Sequence, residues 1–92
     1  MIKSWRHKGL KLFYETGNTS KIQARHAAKL HDVLQVLDFI TKPEQMRLPG
    51  LEFHKLSGDL KGFYAIKVNA NWRIVFGFDG TDVILVDYID YH

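Results

Sequence analysis

Apolar residues along the chain change their spacing once, near Gly50. Before it they recur at helical intervals. In RHKGLKLFYETG, Leu10, Phe13 and Tyr14 stand on one helical face, and Gly17 is placed to close the helix as a C-cap. Ser20-Lys21-Ile22-Gln23 then reads as a capping box, the Ser20 hydroxyl accepting from the Gln23 amide. Ala27, Leu30, Val33, Leu34, Leu37 and Ile40 follow as one apolar stripe, with Arg25, Lys29, Asp32, Gln35 and Asp38 mostly off it. Lys42-Pro43 ends this second helix, because the residue before proline is pushed out of the helical region. PEQMRL allows one short turn before Pro49-Gly50, and Ile2–Ser4 fits a short edge strand.

After Gly50 the period becomes two. LEFHKL reads as a strand, SGDLKG as a loop, FYAIKV as a strand, NAN as a tight connection and WRIVFGF as a strand. Asp79-Gly80 signals a hairpin whose two turn positions tolerate positive φ, and DVILVDYIDYH is the last strand. The expected fold is α+β: one domain over residues 1–92, with two N-terminal helices packed on one face of a mostly antiparallel sheet. Trp72, Ile74, Phe76 and Phe78 are the bulky set of their strand and should meet the helices, leaving Arg73, Val75 and Gly77 on the open face. In the last strand Ile84, Val86, Tyr88, Asp90 and His92 alternate with Val83, Leu85, Asp87, Ile89 and Tyr91. Whether Arg73 shares a face with Asp90 and His92 depends on register.

Composition narrows the function classes. A chain of 92 residues that is 46% hydrophobic can bury a core, so disorder is not expected. The absence of cysteine excludes a disulfide scaffold, thiolate chemistry and Cys-ligated zinc. The basic N-terminus lacks the apolar centre of a signal peptide, and no apolar run approaches the ~20 residues of a membrane span. A cytoplasmic protein without membrane contact is expected. The formal charge of +3 suits a polyanionic partner as well as an ordinary basic domain. Lys3, Arg6, Lys8, Lys11, Arg25 and Lys29 concentrate cations in the first third, as a partner surface or a solvated face.

Of five histidines, His7, His26 and His31 read as solvated or boundary residues. His54 lies beside a glycine-bounded loop, and His92 follows Asp90-Tyr91. No local spacing of zinc ligands joins them. Acid–base chemistry on a phosphodiester fits better. RNA carries its own nucleophile, the 2′-OH, so the protein must remove one proton, supply another and stabilise charge on phosphorus. Imidazoles suit the transfers, an arginine clamps phosphate oxygens, and a carboxylate can fix a histidine tautomer. His54, Arg73, Asp90, Tyr91 and His92 offer this set, with no metal and no cofactor called for.

Several motifs together resemble the HigB family of bacterial toxins within the RelE/ParE superfamily. They are Pro49-Gly50, Phe-His-x-Leu at 53–56, Gly58-Asp59, Gly62 before an aromatic pair, Asn71-Trp72-Arg73 and Asp90-Tyr91-His92. The N-terminal IKSWRHKGLKLFYETG is also similar. The resemblance implies a ribosome-dependent endoribonuclease that cleaves mRNA in the ribosomal A site. It implies a HigA-type helix-turn-helix antitoxin as partner, with operator DNA reached only through that antitoxin. Catalytic roles carry over to His54, Arg73, Asp90, Tyr91 and His92, and substrate contacts to Lys55, Lys61, Lys67 and Asn71. Ser57 stands where some relatives are basic, so Lys55 or Lys61 is expected to take that phosphate contact. ParE-like relatives, which share the fold and inhibit DNA gyrase by binding, are the alternative.

Overall fold

The computed structural model describes residues 1–91. Two helices, α1 (Lys8–Thr16) and α2 (Ala27–Phe39), precede four strands: β1 (His54–Lys55), β2 (Phe63–Asn69), β3 (Trp72–Asp79) and β4 (Asp82–Asp90). The strands form one antiparallel sheet in the order β1-β2-β3-β4. Leu10 and Phe13 of α1 and Leu30, Val33, Leu34 and Leu37 of α2 bury their stripes against Ile66, Val68, Ile74, Phe76, Val83, Val86 and Tyr88 of the sheet. This is the expected α+β arrangement, both helices on one face.

Helix α1 has caps at both ends. His7 Nδ1 accepts from the Leu10 N–H at 2.9 Å, and Gly17 takes φ 80°, its N–H donating to the Phe13 carbonyl. Gly9, in the first turn, serves packing: a Cβ there would lie 2.3 Å from Lys21 Cβ and 3.2 Å from the Lys21 carbonyl. The loop into α2 therefore crosses α1 at backbone distance. Gly9→Ala gains up to about 1 kcal/mol of helix propensity but incurs an overpacking cost of about 1–3 kcal/mol. The cost should win, lowering the melting temperature by several degrees; a more stable Gly9→Ala protein would show that the loop yields freely.

The start of α2 departs from expectation. No capping box forms at Ser20–Gln23; the Ser20 N–H instead donates to Asn18 Oδ1, and a 3₁₀ turn over Ala24–His26 leads into the helix. The loop is held from the sheet: Tyr88 Oη accepts from the Gln23 N–H at 3.4 Å. The helix also ends earlier than Lys42-Pro43, at Phe39, with Ile40 already extended. His26, expected as a solvated or boundary residue, is only 2% exposed, with Nδ1 2.6 Å from Tyr88 Oη.

Burial, and secondarily the neighbouring Arg25, pushes the pKa of His26 below the usual 6.5. The unfolded chain then binds the extra proton more readily. The contribution of His26 to stability is complete above about pH 6.5 and is lost as the pH falls through the lower folded-state value. The melting temperature should fall more between about pH 8 and about pH 5 than that of a His26→Gln variant. Parallel pH profiles for the two proteins would refute this.

The sheet shows four further departures. The edge segment near Ile2 pairs in parallel with β4 through single bridges, Ile2 to Val83 and Trp5 to Val86, and Asp38 Oδ1 accepts from the Ile2 N–H at 2.8 Å. β1 is two residues rather than six, because Gly50 (φ 83°) and Glu52 (φ 47°) interrupt the extended backbone before it. In the β3–β4 hairpin Asp79 pairs with Asp82, so Gly80 and Thr81 form the turn, with positive φ at Gly80 alone. In β4 a bulge opposes Leu85 and Val86 to Phe76, with Leu85 at φ 54° and its N–H donating to Ser4 Oγ at 2.8 Å. The extra residue switches side-chain parity, so Val83 and Val86 both face the core, contrary to strict alternation.

Candidate active site

The register sets which side chains share the face away from the helices. His54 lies opposite Ala65, Ala65 opposite Val75, and Val75 opposite Asp87. Lys67 lies opposite Arg73, and Arg73 opposite Ile89. Directly paired residues point the same way, so His54, Lys67, Arg73 and Asp87 border a floor of small side chains. Strand spacing puts the His54 and Arg73 Cα atoms about 12 Å apart, a span that two long side chains can close around one phosphate. Ala65, Val75 and Gly77 of this face are buried rather than open. At Gly77 the cover is Phe63: a Cβ there would meet its ring at 3.3 Å, and Arg6 lies 5.1 Å above that ring.

His54 is exposed, and its Nδ1 is 3.0 Å from the Glu52 carbonyl. A carbonyl only accepts, so in the neutral ring Nδ1 carries the hydrogen and Nε2 presents its lone pair outward. The left-handed backbone at Glu52 precedes this bond by two residues, and the Glu52 carboxylate meets Lys67 Nζ at 3.0 Å. That bond and the Lys67 charge hold the Glu52 carboxyl below its usual range, with smaller help from Arg73 and His54. Glu52, Lys67, Arg73 and His54 are therefore one electrostatic cluster.

Arg73 is half-buried against the β2–β3 turn. Its Nη1 donates to the Ala70 carbonyl at 2.7 Å and the Trp72 carbonyl at 3.1 Å. Ala70 takes φ 49°, a position that disfavours side chains, so the guanidinium braces a strained turn. Tyr91 joins the same end: its N–H donates to the Asn71 carbonyl at 2.8 Å, and Arg73 Cζ lies 5.8 Å from its ring centre.

Among the remaining expected site residues, Asp90 and Lys55 lie on the helix side of the sheet. Asp90 pairs with Trp72, whose ring packs toward the helices, so parity places it across the sheet margin from Arg73 and Tyr91. His92 lies outside the described residues. Lys55 pairs with Tyr64, whose ring meets Phe76, so it points to the helix side, opposite to His54. Lys61 is exposed just after the 3₁₀ turn Gly58–Leu60. Asn71 contributes its carbonyl to Tyr91. Glu52 was missed in the sequence, although its two-residue offset from His54 was the available signal. Among the described residues no group of three His, Cys, Asp or Glu is placed to hold a metal ion. An apolar depression of about 470 Å³ lies elsewhere, between α2 and Met46–Leu51. No helix among the described residues is long and apolar enough to cross a membrane.

The chain is 42% identical over 92 residues to the endoribonuclease HigB of Proteus vulgaris, covering 100% of both chains. It is 34% identical over 95 residues to toxin HigB-1 of Vibrio cholerae serotype O1, covering 100% of this chain and 98% of that one. Its fold matches the toxin–antitoxin complex YoeB–YefM from Staphylococcus aureus with a TM-score of 0.64 at 19% identity, covering 100% of this chain and 95% of that chain. Residues 3–92 match the family described as the RelE-like toxin of type II toxin–antitoxin system HigB, and the chain belongs to that family of toxins.

Proposed function

We propose that this toxin is an endoribonuclease that cuts mRNA during translation by acid–base chemistry of its own side chains, and that a HigA-type antitoxin restrains it. The observation that supports this best is the register, which gathers His54, Lys67 and Arg73 on one sheet face. The endoribonuclease named among its relatives, at 42% identity, points the same way. His54 Nε2 takes the proton of the 2′-OH, and the 2′ oxygen attacks phosphorus. Arg73, through the donors its turn leaves unused, and Lys67 hold the non-bridging oxygens as negative charge grows on them. The 5′ oxygen takes a proton from the Asp90-Tyr91-His92 end as its bond to phosphorus breaks, and the products are a 2′,3′-cyclic phosphate and a 5′-hydroxyl. Asp90, Tyr91 and His92 are proposed to serve the leaving-group side, and Lys55, Lys61 and Asn71 the neighbouring RNA. The whole chain is proposed to act as one domain. A net charge of +3 gives a weak grip on free RNA, so the ribosome supplies the positioning.

The test is induction of the toxin in growing cells with mapping of mRNA 5′ ends. New ends should appear inside translated coding regions and not in untranslated copies of the same RNA. Intact mRNA together with inhibited supercoiling would replace this reading with gyrase binding.

A further inference from the structure

A buried group outside the proposed chemistry reaches the site from behind. His26 lies in the helix layer, yet its Nδ1 is 2.6 Å from Tyr88 Oη and its Nε2 is 3.4 Å from Asn69 Nδ2. Both partners lead to the turn end of the sheet. Asn69 pairs with Trp72 to close the β2–β3 turn. The Tyr88 ring stacks on Trp72 at 4.4 Å, and the His26 ring meets Trp72 edge-on at 5.7 Å. Across this turn, Arg73 binds the Ala70 and Trp72 carbonyls and Tyr91 binds the Asn71 carbonyl. His26 thus meets Asn69 in β2, Trp72 in β3 and Tyr88 in β4; Trp72 is the chain neighbour of Arg73, and Tyr88 lies three residues before Tyr91.

We infer that His26 is a positioning residue: through Tyr88, Asn69 and Trp72 it fixes the β2–β3 turn and the end of β4, and so sets where Arg73 and Tyr91 meet RNA. The inference rests on the nuclease reading for its consequence in rate, but the placement can be read without any cleavage. Three features favour positioning over mere core filling. An apolar residue would fill the same space, whereas the imidazole is hydrogen-bonded on both ring nitrogens. Its partners lead from the core residue Tyr88 to Trp72 and Asn69 at one end of the sheet. That end holds Ala70 at φ 49°, a conformation that persists only where surrounding contacts over-determine it.

The test uses the full chain as His26→Gln, Tyr88→Phe and the double variant, with Val33→Ala in α2 as a destabilised control remote from the turn. Single-turnover cleavage on programmed ribosomes is measured, with amide resonances of Ala70–Arg73 and Tyr91. Each single variant should lose about tenfold to a hundredfold in saturating rate, the range of a misplaced reacting group, at an unchanged half-saturating ribosome concentration. The double variant should lose no more than either single one, because the two groups act as one unit. The turn and Tyr91 amides should shift in both single variants and stay in place in Val33→Ala. Unmoved amides overturn the inference, as does a rate loss no greater than that of Val33→Ala at matched melting temperature. If the unmodified protein cuts nothing, the nuclease reading fails while the amide shifts still decide the positioning.

Discussion

Replacing His54 with Ala should slow cleavage of translated mRNA by about 10²–10⁴-fold, the usual contribution of a general acid–base group. The fold should hardly notice. His54 is exposed at the start of a two-residue strand, and its side-chain hydrogen bond is local, to the Glu52 carbonyl. Surface changes of this kind usually stay within about 0.5 kcal/mol, or a few degrees of melting temperature here. Free imidazole added to the Ala variant should restore part of the rate, since the vacated space opens to solvent. The decisive comparison is growth arrest and 5′-end mapping at matched expression. A His54→Ala protein that arrests growth and cuts mRNA at full strength would remove His54 from the chemistry and move attention to residues 90–92.

The expectations that held and those that failed divide along one physical line. Local periodicity was enough for the core. Leu30, Val33, Leu34 and Leu37 bury as one stripe, and Trp72, Ile74, Phe76 and Phe78 face the helices, because burial on a regular element follows its own repeat. Gly17 as a C-cap was equally legible, since the left-handed conformation selects glycine. What failed depended on distant partners or on irregular backbone. His26 looks like a solvated or boundary residue until Tyr88, 62 positions away, supplies its hydrogen bond. The β4 bulge left no glycine to mark it: Leu85 holds positive φ because Ser4, 81 positions away, accepts from its N–H. That bulge decides parity along the strand, so no count of alternating residues could have carried Val83 and Val86 to the same side. The Ser20–Gln23 box failed for a related reason. Tyr88 reaches the Gln23 N–H from the sheet, and the local cap is displaced.

For the site, residue types and the alternation of Asp90 with Tyr91 were readable, and the register across strands was not. Alternation already put Asp90 and Tyr91 on opposite faces; the register then sets Tyr91 beside Arg73 and Asp90 beside Trp72. Conversely, Glu52 and Lys67 are 15 positions apart, and a 3.0 Å ion pair joins them within electrostatic reach of His54 and Arg73. The motif FHKL drew attention to His54 and Lys55 together. On a strand, neighbours point to opposite faces, and Lys67 takes the place beside the histidine that Lys55 holds only in the sequence.

Arg73 should give the second large effect, with a different signature from His54. Its guanidinium has two tasks: Nη1 spans the Ala70 and Trp72 carbonyls, and the other donors are proposed to grip phosphate. Arg73→Ala removes both. Loss of an electrostatic clamp on the transition state costs about 10²–10³-fold in rate. Loss of charge-assisted bonds to a strained turn should also cost on the order of 1 kcal/mol of stability, less than a fully buried pair because the side chain is half-exposed. Arg73→Lys separates the tasks. The ammonium keeps the charge but has no planar fork, so it can serve the turn or the phosphate and not both in the same geometry. It should therefore melt closer to the unmodified protein than Arg73→Ala does while recovering only a small part of the cleavage rate. Rate and melting temperature measured together on both variants decide the matter. If Arg73→Lys cleaves at the full rate, a single positive charge suffices and the bidentate clamp is wrong. If Arg73→Ala loses stability but no activity, the residue braces the turn and nothing more, and phosphate binding on this face passes to Lys67.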